Sequence, residues 1–351
     1  MPSSDAWSGD SNSERGAAEV DSLRFAQQHR QVFLIHPISP FRLDLTVWAL
    51  RRRPENLIDR WDGKTYSRTL VIGGAPFTVA VRQARPDAPL CIGIGGPEVD
   101  PNVGKEIRRK VAIMLGVRED LAAFYRLAEQ DRRLAPLVEK FKGVKPPRFP
   151  SVFEGLVNGI ACQQLSLTVG IRLLNRLAER FGRRASRSEA SGPAFPRPEE
   201  LAAAKPEEIR QLGFNRRKAE TIIGISQDVM EGRLDLEGLQ ALNDEEAVRR
   251  LVELRGIGRW TAEYTLLRGM GRWHIFPVGD QGALNGLARW LRLRVPIDTV
   301  RAQRLLARWK PYSGLMYFHM LMNGLDETGW LRLPYGEPGG QLVSTPVAGH
   351  I

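Results

Sequence analysis

From residue 31 to about residue 100 the apolar positions fall in short runs. QVFLIHPI, YSRTLVIGG, FTVAVRQ and LCIGIGG are rich in β-branched and aromatic residues, and the turns Asp62-Gly63, Gly73-Gly74 and Gly95-Gly96 separate them. Between the first two runs, FRLDLTVWALRRR repeats its apolar residues at helical spacing instead. This order predicts a β-α-β-β-β unit over residues 29–102, an antiparallel sheet with a helix on one face. After about residue 103 the period changes to that of helices. Val169, Leu173 and Leu177, and later Val248, Leu251 and Val252, recur at three and four residues, as one apolar helix face requires. No repeat of solenoid length is visible. The expected fold class is therefore α+β, with an antiparallel N-terminal domain followed by an all-helical region over residues 103–333.

Three stretches lack either period. Residues 1–28 and 334–351 are small and polar and read as flexible tails. GRRASRSEASGPAFPRP, residues 182–198, is a basic Ser/Pro-rich loop, either solvated or brushing phosphates.

Composition narrows the function classes. The chain has 351 residues, enough for two or three domains, and 42% of them are apolar, enough for real cores. Lys and Arg number 51 against 40 Asp and Glu, a net charge of +11, which favours a polyanionic partner, most simply nucleic acid. No apolar run approaches the roughly 20 residues of a spanning helix. MPSSDAWSGDSNSERG lacks the basic-then-apolar order of a signal peptide, so a cytoplasmic, nucleoid-associated location is expected, with no membrane partner. Cys91 and Cys162 are the only cysteines, too few for a four-thiolate iron-sulfur cluster or a zinc finger, and a disulfide is disfavoured in a reducing cytosol. With five histidines and no HExxH pair, metal catalysis is not expected.

The chemistry concentrates around LRGIGRWTAEY. Asn243 with Glu246 three residues later reads as a helix start, and the helix should stop at Gly256, where a missing Cβ permits a left-handed turn. RWTAEYTLLRG restarts a helix, giving helix, LRGIG, helix over residues 245–268. Gly256 and Gly258 let backbone approach a phosphate, at which the second helix's first amides point, with Ile257 and Thr261 beside them. Such contacts read phosphate and not bases, although an ordinary interhelical turn looks the same. Further on, in FPVGDQGALNGLARWL, Asp280 directly precedes a helical pattern. It is an N-cap, and helix amides and the dipole would keep it ionised at neutral pH. A carboxylate facing DNA is electrostatically awkward unless it stabilises developing positive charge. Trp260 and Tyr264, one turn apart, either pack in a core or line a pocket together.

LRGIGRWTAEY, the FPVGD aspartate, the helix FEGLVNGIACQQLS and the helix WKPYSGLMYFH together resemble the helix-hairpin-helix DNA glycosylases, in particular the bacterial 3-methyladenine DNA glycosylase II branch, over roughly residues 30–330. The resemblance implies two helical subdomains, with residues 103–145 packing beside 270–330. It implies that Asp280 is the catalytic carboxylate, stabilising an oxocarbenium-like transition state. In bifunctional relatives a lysine stands at the position of Trp260, so the tryptophan implies a monofunctional enzyme using water. Trp260, Tyr264 and Leu321 would form the base pocket, Leu321 standing where the alkylpurine prototype has a tryptophan, and the two aromatic faces suit a cationic base. Gln164 would wedge into the gap left by the flipped base. Gln163 and Gln164 read equally as helix-end amides bonding backbone. His319 reads as a satisfied core histidine, Trp309 and Pro311 as structural, and Cys162 as a buried helical thiol. The expected partner is double-stranded DNA containing alkylated bases, met by a monomer. No cofactor is required; similar proteins place a monovalent cation on the hairpin carbonyls. The competing readings are a non-catalytic DNA-binding or lesion-sensing protein and a lyase, the latter disfavoured by Trp260.

Overall fold

The structure, a computed structural model, describes residue 25, residues 27–186 and residues 191–331. Its first part is a five-stranded sheet of strands β1 (Gln31–Ile35), β2 (Arg60–Trp61), β3 (Thr65–Ile72), β4 (Ala75–Gln83) and β5 (Leu90–Gly95), in the order β1-β5-β4-β3-β2 with every pair antiparallel. β3 and β4 form a hairpin closed at Ile72 and Ala75, and Gly73 and Gly74 between them both take positive φ (56° and 81°), as a tight two-residue turn demands. β2 is an addition to the expected four strands: two residues long, it has no period of its own and exists through its pairing with Tyr66 and Ser67.

Helix α1 (Leu43–Arg51) and helix α2 (Pro101–Met114) bury Leu43, Val47, Leu50, Ile107 and Val111 with the sheet residues Leu70, Phe77, Val79, Val81, Ile92 and Ile94. α2 starts where chemistry dictates. The Asp100 carboxylate accepts the amides of Asn102 and Val103, and Pro101 sits where no amide is needed. Phe25 departs from the expected tail: it is buried, with the Arg82 guanidinium 4.6 Å from its ring centre. Residues 1–24 and 332–351, which hold the rest of both expected tails, lie outside the described residues.

The helices continue as α3 (Ala122–Glu129), α4 (Leu134–Lys140), α5 (Val152–Cys162), α6 (Leu167–Phe181), α7 (Pro198–Ala202), α8 (Pro206–Gln211) and α9 (Arg216–Met230). They end with α10 (Asp244–Val252), α11 (Arg259–Arg268), α12 (Gln281–Trp290), α13 (Thr299–Leu306) and α14 (Ser313–Glu327). Two apolar cores hold them. One gathers α5, α6, α9, α10 and part of α11 around Leu156, Ile160, Leu177, Ile222 and Leu251. In the other, Phe124, Leu137 and Phe141 from α3 to just past α4 pack with Leu284, Leu287, Trp309 and Met316 of the C-terminal helices.

Two features fix how these parts meet. Arg68 of β3, fully buried, bonds Asp59 at 2.8 Å and Glu154 of α5 at 2.5 Å, which locks the sheet to the helical region. Such buried pairs contribute register more than net stability. On α5, Gly155 and Gly159 let α11 cross closely. A Cβ at Gly159 would lie 2.9 Å from Thr261 Cγ2, and one at Gly155 2.7 Å from the Gly269 Cα.

Candidate active site

α10 opens as expected, with the Asn243 side chain accepting the Glu246 amide at 2.9 Å. It closes at Val252, earlier than Gly256, and turns through Leu254 carry the chain on. Gly256 has φ +88°, and a Cβ there would meet Thr221 Oγ1 at 2.4 Å, so the fold itself requires glycine. Gly258, the N-cap of α11, is different: its φ is −98° and a Cβ would meet nothing within 4 Å. The side chains of Ile257 (5% exposed) and Thr261 (1%) are buried, Thr261 accepting the Gln163 amide at 2.9 Å. Both side chains are largely covered beneath the turn, Thr261 also bordering the cleft above it, so at the turn their main chain is what lies open to a ligand. Gln163 also donates to the Gly256 carbonyl at 3.0 Å, and Lys218 of α9 donates to the carbonyls of Ala161 and Gln163 at 3.1 and 2.7 Å. The turn after α5 and the hairpin are thus stitched together.

Above them opens a cleft of about 980 Å³. Gln164, Trp260, Tyr264, Asp280 and Leu321 all line it, so α5, α11, α12 and α14 converge on one space. Trp260 and Tyr264 have ring centres 5.6 Å apart at 35°; Trp260 is half-buried and Tyr264 buried. Leu321 is half-buried. Gln164 stands exposed at the rim in left-handed backbone (φ 56°), and beside it Leu165 exposes 43% of its surface. Leu165, an apolar residue better suited to fill a gap between bases, escaped the sequence reading because it follows the helix's apolar period. Arg217 and Arg289, both exposed, add positive charge to the cleft wall.

Asp280 caps α12, its Oδ1 accepting the Ala283 amide at 2.9 Å, while Oδ2 lies 3.4 Å from the Trp260 indole nitrogen and the Tyr317 hydroxyl donates toward it. The cap is where the sequence places it, but the charge balance is not: burial pushes the carboxyl above its usual range, outweighing the Ala283 amide, the indole and the phenol. Tyr317 is itself raised well above the ordinary phenol, by burial first and by Asp280 next, so it stays a donor. No role was read for Tyr317 in sequence, although it lies on the quoted WKPYSGLMYFH helix.

Arg52 was also missed. It ends α1 in left-handed backbone (φ 63°), and its guanidinium, 2% exposed, donates to the Tyr264 hydroxyl and to Asn158 Oδ1, both at 2.7 Å. Cys162, expected to be buried, is half-buried as the last residue of α5 and lines the cleft, its thiol pushed up by burial. His319 is a core residue bonded through Nδ1 to the Leu315 carbonyl at 2.8 Å, but its Nε2 has no partner. Burial lowers it to about 4, which keeps it neutral. Trp309 packs in the core and donates to Asp131 at 2.9 Å. In the basic loop, Arg183 bonds Glu200 and the Gly74 carbonyl, and Arg184 the Ser191 carbonyl, so these two face protein; residues 187–190 lie outside the described residues. A second cavity, of about 450 Å³, lies beside Arg68 and Glu154 and includes none of the expected site residues.

Among the described residues no group of three or more His, Cys, Asp or Glu could hold a metal ion, and no helix is long and apolar enough to cross a membrane.

Known proteins resemble this chain in sequence and in fold. Residues 157–311 match the model of the HhH-GPD superfamily base excision DNA repair proteins. The chain is 31% identical over 216 residues to a DNA-3-methyladenine glycosylase of Bacillus subtilis, covering 62% of this chain and 71% of the relative. It is 30% identical over 179 residues to DNA-3-methyladenine glycosylase 2 of Escherichia coli, covering 51% and 60%. Among solved structures, a 3-methyladenine DNA glycosylase from Archaeoglobus fulgidus superposes with a TM-score of 0.72 at 25% identity, over 84% of this chain and 98% of that one.

Proposed function

This chain belongs to the HhH-GPD superfamily of base excision DNA repair proteins, and on that premise we propose that it is a monofunctional DNA glycosylase. It hydrolyses the N-glycosidic bond of alkylated purines, chiefly 3-methyladenine, in duplex DNA, and starts base excision repair by leaving an abasic site. It acts as a monomer on DNA in the cytoplasm. The observation that carries this reading is the position of Asp280: a mostly covered carboxylate in a cleft bordered by an indole and two phenols, next to a hairpin whose Gly258 end is open.

Binding begins at the hairpin, where the amides at the start of α11 donate to a phosphate and the dipole adds to their attraction. Gln164 and Leu165 hold the gap as the lesion rotates into the cleft, which costs a few kcal/mol and least for a damaged pair. The bond from the sugar C1′ to the base nitrogen then breaks, its electron pair leaving with the base. Positive charge grows on the sugar, and the Asp280 anion stabilises it. A water oxygen bonds C1′ and gives up a proton, for which the raised carboxyl of Asp280 is a ready acceptor. Lys218 lines the cleft, but its ammonium is held on two backbone carbonyls, which supports hydrolysis over Schiff-base chemistry.

A monovalent cation on the hairpin carbonyls belongs to the same proposal. The carbonyls of Leu254, Arg255 and Gly256 already accept Ile257, Thr221 and Gln163, so an ion would share them rather than find them free.

The test is release of free base from methylated duplex DNA by the wild type and by Asp280→Asn. Asparagine caps helices as well as aspartate, so the variant should fold and bind while base release falls on the order of 10² to 10³-fold. Undiminished release by Asp280→Asn would refute the assignment. Strand nicking with borohydride trapping would favour a lyase, and binding without released base a non-catalytic protein.

A further inference from the structure

Arg52 enters the cleft from the N-terminal domain, at a backbone conformation that residues other than glycine rarely adopt. Its two terminal nitrogens bond neutral oxygens, those of Tyr264 and Asn158, and its Nε has no partner. Arg268 behind it is fully buried and donates only to the carbonyls of Ala49 and Leu50; both guanidiniums lie about 5 Å from the Phe149 ring centre. No carboxylate pairs with either among the described residues. The contrast is Arg68, equally buried but clamped between Asp59 and Glu154. A buried charge without a direct ion-pair partner is expensive, as burial shows at Arg268, and around Arg52 that cost is outweighed only by surrounding groups, Tyr264 first and Asp59 among them; packing alone would be served as well by a methionine or glutamine. Two such charges under Tyr264, in the wall of the cleft that holds Asp280, therefore call for a use.

The reaction supplies one. When the C1′–N bond breaks, the base takes both electrons, so its charge falls by one whatever the lesion: a cationic base leaves neutral, and an uncharged base leaves as an anion until it is protonated, the attacking water's proton going first to Asp280 and from there to the base or to solvent. A fixed cation on the base side stabilises that change, as a fixed anion on the sugar side stabilises the opposite one. Because the Tyr264 oxygen already accepts from Arg52, its own proton is left to donate into the cleft. We propose that Arg52, acting through the Tyr264 hydroxyl, is a positioning residue for the leaving-group half of the site, stabilising the electron pair that the departing base carries away.

This rests on the glycosylase reading and assigns it a residue and a charge dependence. The cation therefore favours bond breaking from the bound state by a similar amount for both classes, and the two differ in binding, where an uncharged base meets no repulsion from Arg52. A cationic base is repelled by Arg52 in the ground state and relieved of that repulsion on departure.

The experiment is single-turnover base release from duplexes bearing one hypoxanthine (uncharged) or one 7-methylguanine (cationic), with the wild type, Arg52→Gln and Arg52→Lys. For Arg52→Gln the limiting rate on hypoxanthine should fall on the order of tenfold to a hundredfold. On 7-methylguanine the limiting rate should fall by a similar factor, but the half-saturating concentration should decrease, so that the ratio of the two falls far less than on hypoxanthine. Arg52→Lys should restore part of the hypoxanthine rate. Equal losses on both lesions with unchanged half-saturation would overturn the proposal, and so would wild-type release of 7-methylguanine without any hypoxanthine. If Arg52→Gln does not melt cooperatively, Tyr264→Phe keeps the ring and removes the hydroxyl, and must lower the limiting rate on both lesions without weakening the binding of 7-methylguanine; an unchanged limiting rate overturns it. A wild type that releases neither base but frees 3-methyladenine from methylated duplex DNA would overturn this proposal alone; one that frees no base from any of these duplexes would sink the glycosylase reading, and the proposal with it.

Discussion

The two hairpin glycines separate what the fold needs from what a ligand needs. Alanine at Gly256 must take φ +88° and place its Cβ 2.4 Å from Thr221 Oγ1. The left-handed backbone costs about 1–2 kcal/mol and the overpacking about 1–3 kcal/mol, so Gly256→Ala should lose about 2–5 kcal/mol. At a few degrees per kcal/mol for a chain this long, its melting temperature should drop by about 5–15 °C. Alanine at Gly258 has φ −98° and open space, so its stability should stay within about 0.5 kcal/mol of wild type. Yet the emptiness around Gly258 is what a phosphate would fill. A methyl group there should displace the anion from the α11 amides and remove charged hydrogen bonds worth about 1.5–3 kcal/mol, a loss in affinity of about tenfold to a hundredfold. Fluorescence anisotropy on duplexes of several unrelated sequences at one salt concentration, beside thermal melts, reads both quantities. Wild-type affinity for Gly258→Ala would refute phosphate binding at the hairpin. A melt several degrees lower would refute the view that this glycine is free of the fold.

Three further outcomes follow from burial and exposure. Since desolvation raises Asp280 and its anion is the working form, base release should fall as pH drops through a midpoint above the ordinary aspartate value of 3.8; a single-turnover pH profile flat down to that value would contradict the assignment. His319 is lowered from 6.5 to about 4, so between those values the unfolded chain holds a proton that the folded one refuses. Stability should therefore decline by about 3 kcal/mol as pH falls from 6.5 to 4; denaturant titrations of His319→Gln should show that decline removed, and an unchanged pH slope would count against it. Finally, Leu165→Ala should weaken binding to an abasic-site duplex more than to an intact one, with little change in melting temperature because the side chain is already 43% exposed; equal weakening of both would leave the gap-filling to Gln164 alone.

What could be read from sequence was what depends on neighbours along the chain. Alternating apolar residues predicted β1, β3, β4 and β5, glycine pairs their turns, and Asn243 and Asp280 their helix starts, because each rests on backbone geometry within a few residues. β2 was not legible, since two residues become a strand only through the edge offered by β3. The hairpin motif marked Ile257 and Thr261 along the chain but not how deeply their side chains are covered. That cover was decided by α5, whose Gly155 and Gly159 draw α11 in until Thr261 is covered. Arg52 gave no signal beyond standing in the middle of a run of three arginines: its partner Tyr264 is 212 residues away, and no period in the sequence marks a non-glycine residue for left-handed backbone.

The largest departure concerns the sign of one effect at Asp280. Read from sequence, helix amides lower a carboxyl, and those amides are present. What sequence could not weigh against them was burial in the folded cleft, which raises the same carboxyl and outweighs the Ala283 amide together with the Trp260 and Tyr317 hydrogen bonds. The two effects are linked in function. An anion that water surrounds acts across an effective dielectric near 80, whereas at a largely desolvated site the value is about 20, so the same charge acts on a nearby oxocarbenium with about four times the energy. The amides lose the contest over the pKa but hold the carboxylate in place, so no reorganisation is needed when charge develops on the sugar. The site therefore trades ease of ionisation for strength of field. That trade holds only while the cleft stays above the pH at which Asp280 takes up a proton, and this makes the acid limb of the rate profile the most direct reading of how deeply the carboxylate is buried.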